Sequence, residues 1–207
     1  MLLSGPVRSG SAFRARFAAV ALAFVGLLSL PGCWVSSLGG LSEAGAWGTD
    51  KDQVSEPDLL GAWTSDCVML EVTADDKQYH WTVTGDRHGC QDNKGEIDHY
   101  EGKLFKLGDH EFLDMTARDN DVCPACLAVH WIFKVDVGKD SLSLAPIDWE
   151  WLENAEKEKT VRLATAHGNP DLLTASPKEL KEFCRKYGED EAVFISPAEF
   201  TFERKQP

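Results

Sequence analysis

Tyr79-His80-Trp81-Thr82-Val83-Thr84 alternates large apolar and polar side chains. Alternate residues of a strand point to opposite faces, so this stretch predicts a half-buried β-strand with Tyr79, Trp81 and Val83 turned inward. Working back, Asp75-Asp76-Lys77 reads as a turn, and residues 68–72 and 59–64 as two further short strands. Working forward, residues 85–96 are polar and glycine-containing and read as a loop. Residues 100–107 and 111–115 form a hairpin across Leu107-Gly108-Asp109-His110. Residues 118–126 are another loop. Residues 127–137 give the strongest strand pattern, and Gly138-Lys139-Asp140 turns it into residues 141–144. Short strands joined by turns in succession predict an antiparallel meander.

The pattern changes after Leu144. Asp148 suits the N-cap of a helix carrying Trp149, Trp151 and Leu152. Residues 161–173 read as one or two short strands. Ser176-Pro177-Lys178-Glu179 has the form of a capping box with proline at the first helical position. Leu180, Phe183, Cys184 and Tyr187 then recur on one face, and Gly188 ends the helix. Residues 199–203 alternate again and predict a closing strand. The expected fold class is α+β: an antiparallel curved sheet or partly closed β-barrel with C-terminal helices, in one domain over residues 58–207.

Residues 1–33 form a different kind of segment. They hold Arg8, Arg14 and Arg16 and no acids, followed by an apolar run from Phe17 to Leu30. A basic stretch before an apolar one reads as a secretory signal. The run falls short of the roughly 20 residues that a membrane-spanning helix needs. Leu30-Pro31-Gly32-Cys33 follows and resembles a bacterial lipobox. That resemblance implies acylation of Cys33, cleavage before it, and a protein held outside the cytoplasm on a bacterial membrane. With Trp34 rather than Asp after the cysteine, a Gram-negative cell would sort it to the outer membrane. Residues 34–57 contain Gly39-Gly40, several Ser and few large apolar groups, and read as a flexible tether of roughly 27 Å reach.

Because residues 1–33 carry three Arg and no acids, the remainder has a formal charge of −16 against −13 for the whole chain. Such a surface repels phosphate backbones, so nucleic acid is excluded as a partner. No serine elbow, glycine-rich phosphate loop, paired-carboxylate or His-Glu-x-x-His motif occurs. A binding role is therefore expected over catalysis, with no cofactor implied. The expected partners are the membrane, through the N-terminal lipid, and a small apolar ligand or another envelope protein. Trp63, Trp81, Trp131, Trp149 and Trp151 are expected in the core.

Five cysteines remain beside Cys33: Cys67, Cys90, Cys123, Cys126 and Cys184. An odd number leaves one unpaired, and Cys184 on the apolar helix face is the candidate. For the other four, an oxidising compartment favours disulfides that pin loops. The alternative is a metal- or thiol-dependent protein in which Cys123-Pro124-Ala125-Cys126 acts with His88 and Cys90. His130, inside a strand, is expected to be a core or sheet-face histidine with one hydrogen bond. Asp114, between Leu113 and Met115, is expected on the opposite face from them and toward solvent.

The Leu-x-Gly-x-Trp opening at Leu59–Trp63, Leu104-Phe105-Lys106-Leu107-Gly108 before Phe112-Leu113-Asp114, the Trp151-Leu152 helix and the Thr174-x-Ser176-x-x-Glu179-Leu180 helix start together resemble a group of uncharacterised bacterial lipoproteins. That likeness implies no activity. Gly61-Ala62-Trp63 also resembles the Gly-x-Trp opening of lipocalin barrels. That likeness implies that the first and last strands pair, with Arg204 stacked on Trp63.

Overall fold

The computed structural model describes residues 35–43, 50–65, 68–85, 96–117, 129–166, 169–194 and 200–205. They belong to the compact unit Trp34–Pro207 that follows the N-terminal segment. The elements in chain order begin with β1 (Ser36–Ser37), β2 (Gln53–Val54), a 3-10 turn at Pro57–Leu59, β3 (Gly61–Ser65) and β4 (Val68–Asp75). They continue with β5 (Gln78–Gly85), β6 (Glu96–Leu107), β7 (His110–Ala117), β8 (His130–Val137) and β9 (Ser141–Pro146). Then come helix α1 (Trp149–Lys157), β10 (Thr165–Ala166), β11 (Asn169–Leu173), helix α2 (Pro177–Tyr187) and β12 (Thr201–Arg204).

The antiparallel sheet and the two helices of the second half agree with the expected class, but the sheet closes. Strands β3 to β9 pair in succession, β9 pairs β12, and β12 pairs β3, giving an eight-stranded antiparallel barrel. Tyr79 and Trp81 are buried while His80 and Thr82 are half-buried, as the alternation requires. Inside the barrel Trp63, Tyr79, Trp81, Leu104, Leu113, Phe133, Leu142 and Phe202 pack into one core. Fully burying a side chain of this size contributes about 1.5–3 kcal/mol.

At the closure, Arg204 lies opposite Trp63 and Glu203 opposite Thr64. The Arg204 guanidinium carbon sits 4.1 Å from the Trp63 ring centroid. Its Nη1 donates to the Leu60 carbonyl at 3.0 Å, Nη2 to Asp58 at 2.5 Å and Nε to Lys139 at 2.8 Å. Trp63 Nε1 donates to the Leu59 carbonyl at 2.9 Å. Gly61 has φ +122°, and a side chain there would begin 3.2 Å from Arg204 Nη1, so glycine suits both the backbone and the space.

A second core lies outside the barrel wall. Phe105, Leu107, Phe112, Ile132, Ala145 and Ile147 turn outward and are covered by Leu152 of α1, Leu180 and Phe183 of α2, and Leu173, Val193 and Phe194. Asp148 caps α1 by accepting the Trp151 amide at 2.5 Å. The capping box of α2 is present: Ser176 Oγ accepts the Glu179 amide at 3.4 Å, and Glu179 Oε2 accepts the Ser176 amide at 2.8 Å. Trp149 departs from the expected core: it stands in the first turn of α1 and is 38% exposed.

The tether reading of residues 34–57 fails where they are described. Val35 and Leu41 are buried in the outer core, β1 pairs β8 and β11, and β2 pairs β6. Asp50 and Asp52 close on Lys181, which is 1% exposed: its Nζ lies 2.7 Å from Asp50 Oδ2 and 3.0 Å from Asp52 Oδ2. Asp50 also accepts the amides of Glu43 and Asp52. Burial opposes the Asp50 charge, but the Lys181 ammonium and these two amides outweigh it and hold the carboxyl at about 2. The segment looked like a linker because polar groups, rather than a run of apolar ones, fasten it.

Candidate functional site

The outer wall of β5 to β8 carries two rows of polar side chains, set by strand register. His80 faces Glu101, Glu101 faces Thr116, and Thr116 faces His130. In the next row Lys103 faces Asp114, and the pairing of Tyr79 with Gly102 brings Gln78 beside Lys103. Asp114 and His130 are therefore diagonal neighbours. The segment through Gly40 and Ser42 crosses above them, leaving a crevice of about 330 Å³ lined by Gln78, Glu101, Lys103, Asp114, Thr116 and His130.

Asp114 is 6% exposed. Its Oδ1 lies 2.6 Å from His130 Nδ1, and its Oδ2 accepts the Leu41 amide at 2.7 Å. A carboxylate only accepts, so Nδ1 carries the proton and Nε2 is the ring nitrogen left for another partner. Burial works against the imidazolium, but the bonded Asp114 carboxylate more than offsets it, and the His130 pKa is raised above its ordinary 6.5. Gly40 makes the close approach of the strap possible. A Cβ there would overlap the Asp114 carboxylate and stand 2.6 Å from His130 Nδ1. The arrangement orients one imidazole firmly and sets it among hydroxyl, amide, ammonium and carboxylate groups. It suits the recognition of a small polar solute.

Of the residues singled out from sequence, the structure brings Trp63 and Arg204 together at the barrel closure. Cys33, Cys67, Cys90, Cys123, Cys126 and His88 lie outside the described residues. Among the described residues there is no disulfide. Cys184 is a free, fully buried thiol, and burial pushes its pKa far up. Among the described residues, the His130 ring makes one hydrogen bond, to Asp114. Asp114 does face away from Leu113 and Met115, yet it is buried rather than solvated, because the strap covers it. The sequence reading missed Lys103, Thr116, Gly40 and Ser42. The one available signal was a carboxylate set in the apolar run Phe112-Leu113-Asp114-Met115.

Among the described residues, no group of three His, Cys, Asp or Glu is placed to hold a metal ion, and no helix is long and apolar enough to cross a membrane. No protein-family profile, curated protein or solved structure matches the chain.

Proposed function

We propose that this is a lipid-anchored protein of a bacterial envelope, acylated at Cys33, that works outside the cytoplasm as a non-enzymatic binding module. The observation that carries the binding role is the outer crevice, in which a buried carboxylate orients His130 beside donors left open to a solute. The interior is less suited to an apolar ligand, since Trp63, Tyr79, Trp81 and Phe133 already fill it and are each 2% exposed or less. The stacking of Arg204 on Trp63 supports a lipocalin-type reading of the barrel. The anchoring role rests on the arginine-led apolar segment ending at Leu-Pro-Gly-Cys.

Native mass spectrometry of the detergent-extracted, full-length gene product tests both parts. The expected result is a chain beginning at an acylated Cys33, with a small solute retained at low activation energy. Cys33→Ser should yield an unprocessed or soluble form. A C33S protein that stays in the membrane with unchanged mobility would end the lipidation reading. Stoichiometric zinc would favour the metal- or thiol-dependent alternative through Cys123 and Cys126.

A further inference from the structure

We propose that the crevice receives the oxyanion of a small solute, a carboxylate or a phosphate, held by Lys103, Thr116 and Gln78 together with Nε2 of His130. This rests on reading the crevice as a ligand site and adds the class of ligand. The argument is one of unmatched groups. Glu101 stands 3.7 Å from His80 Nδ1, an ion pair only when that ring is protonated, and Asp114 is already answered by His130 Nδ1 and the Leu41 amide. The donors are not. Among the described residues, the side chains of Lys103, Thr116 and Gln78 have no hydrogen-bond or ion-pair partner, although all three line the crevice.

What remains is one ammonium, one hydroxyl, one carboxamide and an imidazole nitrogen that donates when the ring is protonated. Their complement is a group with negative charge and several acceptor oxygens, because charge-assisted hydrogen bonds to such oxygens are the strong ones. The volume, about 330 Å³, is of the size that takes a small solute. A single lysine on a chain of net charge −13 also argues against a polyanion. Asp114 has a positioning part: by holding Nδ1 it fixes which imidazole nitrogen faces the solute.

The test uses the full-length chain in detergent, with inorganic phosphate and succinate as probes at constant ionic strength and sodium chloride as the control. Calorimetry and the NMR signals of the His130 ring and the Thr116 and Gly40 amides report binding. Saturable binding of either probe is expected, and which one binds identifies the oxyanion. Lys103→Met should weaken it roughly tenfold or more, the loss of one charge-assisted hydrogen bond. Lys103→Arg should retain most of the affinity, and the remote Lys178→Met should change nothing. The proposal is overturned if neither probe saturates, or if folded K103M binds as well as the parent. An uncharged solute that shifts these signals while the oxyanions do not would overturn the oxyanion assignment and keep the crevice as a ligand site. If no solute shifts them, both fall.

Discussion

Asp114 joins three parts of the molecule: its own strand, His130 on β8 and the strap at Leu41. Replacing it with alanine leaves the Leu41 amide and the His130 ring unmatched in a mostly buried place. The expected loss is about 2–4 kcal/mol, read as a lower urea midpoint. Gly40→Ala should destabilise by about 1–3 kcal/mol through the same contacts, since the added carbon displaces the strap. The sign of the pH effect follows from the raised pKa of His130. Its contribution is fully present below the unfolded value near 6.5 and is lost as pH rises through the folded value. Stability of the parent should therefore fall on going upward from pH 6.5 relative to His130→Gln, and parallel curves for the two proteins would contradict this. Asp50 behaves in the opposite way: its contribution is present above its unfolded value of 3.8 and is lost as pH falls toward about 2. Lys181→Met should cost about 3–5 kcal/mol by leaving Asp50 buried without its cation, and the double variant with Asp50→Asn should recover part of that.

At the scale of elements, α2 is held at its start by Ser176 and along its length by the outer core. Ser176→Ala should lower stability by about 1 kcal/mol, and an unchanged denaturation midpoint would show that the cap contributes nothing. The strand pair that closes the barrel is short, and Arg204 compensates with one stacking contact and three bonds to carbonyls. Arg204→Ala should cost about 1–3 kcal/mol, discounted for its partial exposure. Thermal unfolding followed through tryptophan fluorescence would report it directly, since Trp63 loses its charged neighbour.

At the scale of the whole molecule, the closed barrel has no free edge among its eight strands. Ending the chain before β12 would uncover β3 and β9 together and remove Phe202 from the interior. Such a truncation should form oligomers or aggregate, as seen by light scattering, and a monodisperse, folded product would show that closure is dispensable. The strap 35–43 and the clasp at Asp50 and Lys181 lie on the same outer layer as the helices. The described residues of the segment read as a spacer, 35–43 and 50–57, are thus part of the folded body.

What the sequence determined by itself was local. Period-two alternation from Tyr79 to Thr84, turn residues at Asp76 and Gly108, and the Ser176–Glu179 cap are decided by near neighbours, so strands, hairpins and α2 were legible in order. The resemblance of Leu30-Pro31-Gly32-Cys33 to a lipobox is local in the same way, since four adjacent residues carry it. Whether the sheet closed was suggested by Gly61-Ala62-Trp63 and Arg204 but decided in space, by register between strands some 140 positions apart. The strap was illegible because its anchors are single polar groups, the Leu41 amide and Asp50, whose partners Asp114 and Lys181 stand 73 and 131 positions away. The crevice was decided by tertiary structure alone: Lys103, Asp114, Thr116 and His130 sit on three strands, and only pairing register and the cover of Gly40 make them neighbours.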